Sequence, residues 1–368
     1  LSRTHGDGSQ REVFGEMSGF ESVEKNGERG ARVLVTGGSG FIGKRMIDSL
    51  LTEGYSVSNV DIKRPLLDPQ LPYWISCDIR DQGRMQQIFA DIRPEFVIHL
   101  AARTDIDGKS VKDYPENTLG TESLLRSIAA CNSTRRVIVT STQYVFKPGG
   151  LPSHDEDFDP YFAYGESKVV TEKLTRSMDF GCVWTIVRPT NIWGPWHPHY
   201  PHELWRLIGA GLYVHPTGAP IIRSFGYVGN VVYQMTKLLR LPSELVHRRV
   251  FYLGDPPIDS LQWVNIFSQA LRGRDVATVP RWPLKASAML GDLFKAAGLR
   301  FPIFSTRYKN MVTEYLTPMQ PTFETLGQGP YNLAGGVTET IDWLVRQGLP
   351  AAKPIQRLAS TGHIEGGA

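Results

Sequence analysis

The side chains best suited to chemistry lie in Tyr164-Gly165-Glu166-Ser167-Lys168. Positions four apart on a helix share a face, so the phenol and the ammonium project together. An unaided phenol titrates at about 10 and is a poor acid–base group near neutrality. A fixed cation beside it favours the phenolate and brings its proton into play. Upstream, Thr140-Ser141-Thr142 closes a β-branched run, and Thr142 can offer its hydroxyl to the same substrate oxygen that Tyr164 protonates or deprotonates. A tyrosine and a lysine at this spacing also occur on plain exposed helix faces. The threonine at the end of a buried strand gives the pair its weight. Together the three suit hydride transfer at a carbon bearing a hydroxyl or a carbonyl.

Such chemistry needs a hydride carrier, and the stretch that would position one runs from Val33 to Gly43, VLVTGGSGFIG. A β-branched strand stops in a glycine turn, and a helix follows with Met46, Ile47, Leu50 and Leu51 at helical spacing. Gly37 makes the tight turn, Gly40 lets a pyrophosphate approach the backbone, and Gly43 lets the helix sit close on the sheet. The helix amides and dipole then face the phosphates. A ligand-free βα turn can carry the same triplet, but strand, triplet and amphipathic helix in this order point to a dinucleotide. Asp61, eighteen residues after Gly43, can accept hydrogen bonds from the adenosine ribose and would repel a 2′-phosphate, which favours NAD. A solvated strand-end aspartate is the plainer reading. Lys63 and Arg64 follow at once and could hold a 2′-phosphate, so NADP stays possible. Asp78 and Ile79 fall where an adenine amino group could be read. Lys168 could hold the nicotinamide ribose, and the positive oxidised ring would add to its effect on Tyr164.

Strands are expected at residues 33–36, 55–61, 73–77, 96–101, 136–141 and 183–188, with helices at 82–92, within 114–131 and at 163–178. Repeated βα units with β-branched strands predict an α/β fold, a doubly wound parallel sheet with helices on both faces. Ligands in such sheets bind beyond the carboxyl ends of the strands, and Gly37, Asp61, Asp78, Ala101 and Thr142 fall at those ends. Residues 1–30 read as a disordered polar leader, 31–188 as the dinucleotide-binding domain and 351–368 as a frayed tail. Residues 189–350 read as a smaller α/β substrate-binding lobe, partly interleaved with the sheet.

A chain of 368 residues with a formal charge of +3 gives no reason to expect nucleic acid or an anionic membrane surface. Three separated cysteines, Cys77, Cys131 and Cys182, suggest a reducing compartment and no disulfide framework. No apolar run is long enough to span a bilayer, so the cytoplasm is the expected location. His197, His199, His202 and His215 invite a metal reading, but Pro198 and Pro201 break any helical spacing and only Glu203 could complete a site. No metal is expected. Trp193, Trp196 and Trp205 read as core or pocket wall.

The segments VTGGSGFIG, VIHLAA, NTLGT, TST, YGESK and RPTNIWGP resemble, in order and spacing, the extended short-chain dehydrogenase/reductase superfamily. More narrowly they are similar to its NAD-dependent epimerase/dehydratase branch, over residues 31–349. The resemblance implies a Rossmann-type domain with a C-terminal substrate lobe and the triad Thr142, Tyr164 and Lys168. It implies that Gly37, Gly40, Phe41, Ile42, Gly43, Asp61, Asp78 and Ile79 hold the cofactor, with Ala101 and Ala102 lying along it. Asn117 matches the position that steadies the helix beside the active site and is counted with the cofactor residues. Gln143, Asn191 and Arg223 fall to the substrate; Asn191 matches a position near the sugar and diphosphate, Arg223 an arginine that binds the nucleotide diphosphate. A guanidinium suits that task, being planar and able to donate two parallel hydrogen bonds; a strand-end surface charge is the alternative. Homodimers formed by two helices of each subunit are usual in that branch.

Two departures narrow the reading. After Tyr227 the chain reads Val228-Gly229-Asn230 where an acidic residue is expected, which weakens the case for a nucleotide sugar. After Thr142 it reads Gln143-Tyr144 where sugar 4,6-dehydratases carry an acidic pair, so water elimination lacks its acid. No cysteine lies near Thr142 for fucose-synthase-type carbanion work. The leading expectation is an oxidoreductase or epimerase acting on a nucleotide sugar. A 3β-hydroxysteroid dehydrogenase-like enzyme is the alternative, supported by the apolar stretch at residues 279–304, and a non-catalytic NAD-binding protein is the third.

Overall fold

The computed structural model describes residues 30–299 and 303–349; the expected leader, apart from Gly30, and the tail lie outside them. Seven strands form one parallel sheet: β1 (Arg32–Thr36), β2 (Ser56–Asp61), β3 (Trp74–Ser76), β4 (Phe96–His99), β5 (Arg136–Thr140), β6 (Val183–Pro189) and a late strand, labelled β11 (Arg249–Leu253). Their order is β11-β6-β5-β4-β1-β2-β3. It is the doubly wound Rossmann arrangement, with its reversal between β1 and β4. Successive residues of one strand feed opposite cores: Val33 and Val35 pack on one face, Leu34 on the other. Burial on both faces is why these strands read as continuous apolar runs.

Helices α1 (Phe41–Thr52), α2 (Gln82–Ile92), α3 (Thr121–Cys131) and α4 (Ala163–Ser177) cover the sheet. The helix expected within residues 114–131 opens instead with a wider π-type turn at Glu116–Gly120. There the Asn117 carbonyl accepts from the hydroxyls of Thr121 (2.9 Å) and Thr171 (2.6 Å).

The C-terminal part is a mixture of helices and two-stranded ribbons. β7 (Asn191–Trp193) pairs in parallel with β10 (Phe225–Tyr227), β8 (Val214–Pro216) with β13 (Ala277–Val279), and β9 (Ile222–Arg223) antiparallel with β12 (Ile258–Asp259). The helices are α5 (Arg206–Ala210), α6 (Val228–Leu238), α7 (Ser243–Val246), α8 (Ser260–Arg272), α9 (Arg281–Ala296), α10 (Ser305–Val312), α11 (Gln320–Leu326) and α12 (Leu333–Arg346). Among the described residues no helix is long and apolar enough to cross a membrane. Regular alternation fades after Pro189, yet β11 returns to complete the sheet and α6 packs on α1.

Candidate active site

The glycine turn closes on itself and on the end of β4. Gly37 has φ +73°, and a Cβ there would lie 2.6 Å from the Ala101 nitrogen. A Cβ on Gly43 would lie 2.3 Å from the Gly37 carbonyl oxygen, and one on Gly40 would meet that same oxygen at 3.1 Å. Only glycine fits at 37 and 43, so the backbone forms a cradle open at the start of α1, where no side chain caps the helix. Asp61, buried at the end of β2, reaches that cradle: its carboxylate accepts from the Ser39 amide (3.0 Å) and the Lys63 amide (2.8 Å). A free lone pair on each oxygen leaves room for ribose hydroxyls, so the residues present fit a dinucleotide with an unphosphorylated adenosine ribose. Lys63 and Arg64 are exposed. Lys44, on the first turn of α1, is buried; desolvation lowers its pKa while the Asp61 charge opposes that shift. The sequence offered no signal for Lys44 beyond its place after Gly43.

Phe41 packs edge-on against His197 at 5.0 Å, and Ile42 joins the same core. The Ala101 amide donates to the Thr36 hydroxyl at 3.3 Å, and Ala102 follows it, half-buried. Asp78 follows β3, whose neighbour Cys77 donates its amide to the Asp61 carbonyl at 3.4 Å. Both Asp78 oxygens accept from the Arg80 guanidinium at 2.6–3.0 Å, and Arg80 holds the carboxyl below the usual range. Ile79 is buried beneath Gly120.

Thr142, Tyr164 and Lys168 come together where β5 ends against α4, all buried. The Thr142 hydroxyl accepts from the Tyr144 amide at 3.3 Å and lies near enough to the Tyr164 phenol to lower its pKa. The expected loosening of the Tyr164 proton by Lys168 is not what the protein's own groups produce. Burial holds the phenol well above its ordinary pKa, and only the Thr142 hydroxyl pulls the other way. Lys168 donates instead to the Thr140 carbonyl at 2.8 Å. Burial lowers its pKa to about 8 against the opposing charge of Glu172. The reason is dielectric: a site dry enough to sharpen chemistry also disfavours both charged forms.

The rotation of α4 is fixed by Glu172 and Arg188, which the sequence did not single out, and by Asn117, which it did. Glu172, fully buried, accepts two bonds from Arg188 at 2.8 Å each and one from Ser141 at 2.6 Å. Arg188 also donates to the Tyr252 hydroxyl on β11 at 2.8 Å. On the other side of α4, Asn117 donates to Ser167 (2.9 Å) and to the Arg103 carbonyl (2.9 Å) and accepts from the Arg103 amide (2.9 Å). Its amide is thus occupied by protein groups, and any service to a cofactor runs through position.

The substrate-side residues form a second, adjoining group. Asn191 accepts from the Gln143 amide (2.9 Å) and from the Tyr144 hydroxyl (3.5 Å). Gln143 Oε1 is buried without a donor among the described residues, an acceptor that a substrate hydroxyl would satisfy. Tyr144 bridges the two groups, its ring 6.3 Å from that of Tyr164 and its hydroxyl among those that oppose the fall in the Arg223 pKa. Arg223 spends Nε and Nη2 on the Thr313 carbonyl (3.2 and 2.8 Å); burial lowers its pKa, and Tyr200, Tyr144 and Tyr213 oppose that. Tyr315 donates to the carbonyls of Gln143 (2.9 Å) and Phe146 (2.6 Å). Neither Thr313 nor Tyr315 carries a local signal, because each acts across more than eighty residues of chain.

At the start of α6, where the expected acid is absent, a carboxylate from another element is present. Asp255, after β11, accepts from the Tyr227 amide (2.6 Å) at the start of α6 and from Asn230 (2.7 Å). The carboxylate arrives from another element, and burial raises its pKa to about 6. His197 is a buried packing group whose pKa burial lowers to about 3; it stacks on Tyr200 at 4.0 Å and accepts from the Tyr200 amide at 2.9 Å. Among the described residues no three His, Cys, Asp or Glu side chains gather as a metal site, and the three cysteines are unpaired. A cavity of about 310 Å³ lies away from Tyr164, lined by Trp193, Trp263, Asn230 and Asp255 among others.

The chain is 25% identical over 331 residues to N-acetyl-α-D-glucosaminyl-diphospho-ditrans,octacis-undecaprenol 4-epimerase of Escherichia coli O157:H7, covering 84% of this chain and 94% of that one. It is 25% identical to the human decarboxylating sterol-4-α-carboxylate 3-dehydrogenase over 58% of each. Among solved structures it superposes on the Thermotoga maritima UDP-glucose 4-epimerase with UDP-glucose at a TM-score of 0.65 and 22% identity, covering 86% of this chain and 99% of that one. Residues 33–254, from β1 to the residue after β11, match the model of the NAD dependent epimerase/dehydratase family, and the chain belongs to that family.

Proposed function

We propose that this chain transfers a hydride at a secondary alcohol or ketone of a sugar carried on a diphosphate, with a nucleotide sugar as substrate and NAD as carrier. The observation that carries the reading is the continuous set from Tyr164 through Tyr144, Gln143 and Asn191 to Arg223, which joins a proton-transfer group to a half-buried cation. A bound nicotinamide supplies the hydride acceptor or donor, and its oxidised ring adds positive charge beside the phenol. The chain supplies the rest. Gly37, Gly40, Gly43 and Asp61 hold the dinucleotide, and Asp61 favours NAD over NADP. Tyr164, protonated at rest, donates its proton to a ketone oxygen or takes one from an alcohol, while Thr142 bonds the same oxygen. Lys168, fixed by Thr140, holds the ribose and offers charge to the phenolate. Gln143 and Asn191 orient sugar hydroxyls, and Arg223 takes the diphosphate through its remaining N–H groups. Gln143 and Tyr144 are not acids at neutral pH, so the reading is epimerisation or net oxidoreduction and not 4,6-dehydration.

A sterol or other lipid alcohol is the competing substrate, favoured by the human relative and by the apolar residues 279–304. Such a substrate leaves Arg223 idle. Product analysis of the purified chain with NAD and a panel of UDP-, GDP-, CDP- and dTDP-sugars and sterols separates the two. Interconversion of a nucleotide sugar supports the reading, and turnover of the sterols alone overturns it. NAD and the correct sugar together are expected to raise the melting temperature.

A further inference from the structure

Helix α9 wears its apolar side outward. It rests on the fold through a thin buried seam, Leu284, Ala288 and Gly291, spaced four and three apart. At roughly 100° per residue, Trp282, Met289, Leu290 and Leu293 gather on the opposite side. They are 75%, 60%, 54% and 68% exposed, and Leu299, just beyond the helix, is 58% exposed. Exposed apolar residues scattered singly need no explanation, but a contiguous face does. Lys285 is exposed on the flank of this face. Between Arg272 and Lys309 the chain carries eight lysines and arginines against two aspartates. That excess along the chain is twice the +3 of the whole, so the small net charge conceals a basic stretch of sequence, with Asp292 the one exposed acid on α9.

We propose that α9 is a membrane-docking helix that lies in the interface of an anionic phospholipid bilayer. A helix with tryptophan and leucine on one side, basic residues around it and too few apolar residues to span is the pattern of an interfacial anchor. Anionic headgroups match the local charge. A second copy of the chain docked face to face would instead bring two such basic regions together. The helix is also tied to the candidate site: Arg281 donates to the carbonyls of Thr217 (3.1 Å) and Ala219 (2.9 Å), in the strap between β8 and β9, the strand that carries Arg223. Docking would therefore hold one wall of the substrate region at the lipid surface. The proposal stands whether the substrate is a sugar diphosphate or a sterol.

Flotation of the purified chain with phosphatidylcholine vesicles, with and without phosphatidylglycerol, tests it. Binding is expected with the anionic vesicles, weakening as salt is raised. The double substitution Leu290→Glu with Leu293→Glu should reduce that binding at least about tenfold while NAD binding stays intact. In the unmodified chain, brominated lipid should quench a share of the tryptophan fluorescence that Trp282→Phe removes, a readout independent of how the glutamate variant folds. The proposal is overturned by no binding to either vesicle or by binding that survives the double substitution. It is equally overturned by a wild-type dimer that the substitution makes monomeric, which assigns the face to a second copy, or by binding seen only after residues 1–29 are removed, which assigns it to that segment.

Discussion

In the sheet half, Tyr164 and Lys168 stand within a lattice of short bonds between neighbouring elements of a repeating βα pattern. In the lobe, Arg223 is held by one carbonyl ninety residues away and β9 is two residues long. Around α4 the sheet half buries charged and polar groups against one another: Glu172, Arg188, Asn117 and Ser167 are nearly inaccessible, and all are bonded. At the edge of the lobe, Gln143 Oε1 in the turn after β5 has no donor among the described residues, and in the lobe the α9 apolar residues stand in the open. The contrast separates two tasks. Proton transfer needs a rigid and dry setting, so its residues sit where the fold is most repetitive. Choice of substrate needs unsatisfied groups and adjustable loops, so it falls where few contacts decide each position.

The largest expected effect tests the first half of that contrast. Tyr164→Phe should lower kcat by about 10²- to 10⁴-fold and leave NAD affinity near that of the wild type; an equal loss of both would make Tyr164 a cofactor-holding group. Next comes the rigidity of the setting. Glu172→Ala strands a buried guanidinium and should cost about 3–5 kcal/mol of stability in denaturant unfolding. Replacing Glu172 and Arg188 together by methionine should cost less than that single change, and a larger cost would mean that the pair contributes more than mutual neutralisation.

Arg223→Ala probes the lobe in the same terms. It should raise KM for a nucleotide sugar about 10- to 100-fold, with little change in kcat or in unfolding. A change in kcat of the same size would blur the division between the two regions. The smallest expected effect is a pH slope in the sheet half. His99 is buried between the hydroxyls of Thr36 (2.7 Å) and Thr121 (3.2 Å), and burial, helped by the Lys168 charge, lowers its pKa to about 3. An unfolded histidine titrates at about 6.5. Between these values the unfolded chain binds the extra proton, so stability falls as pH falls from about 6.5 towards 3. His99→Asn should flatten that slope in unfolding curves taken across the window, whatever its effect at neutral pH. An unchanged slope would mean that this histidine charges inside the fold.

The glycine spacing, the apolar strands and the Tyr164–Lys168 interval were legible in the sequence because each rests on local periodicity. Two residues per strand repeat and 3.6 per helical turn bring chemistry together over a few positions, and a backbone that must approach a phosphate leaves a gap that only glycine fills. The same locality predicted a doubly wound parallel sheet from the strands up to β6, and it placed Asp61 at a strand end. It could not show that Asp78 pairs with Arg80, that burial outweighs Lys168 at the Tyr164 phenol, or that Asp255 reaches the start of α6. Nor could it show that β11 closes the sheet, or that Thr313 and Tyr315 hold Arg223 and the Gln143 turn. Those outcomes depend on burial and on partners remote in the chain. Desolvation and long-range hydrogen bonding come into being only when the chain is packed, so tertiary structure alone decided them.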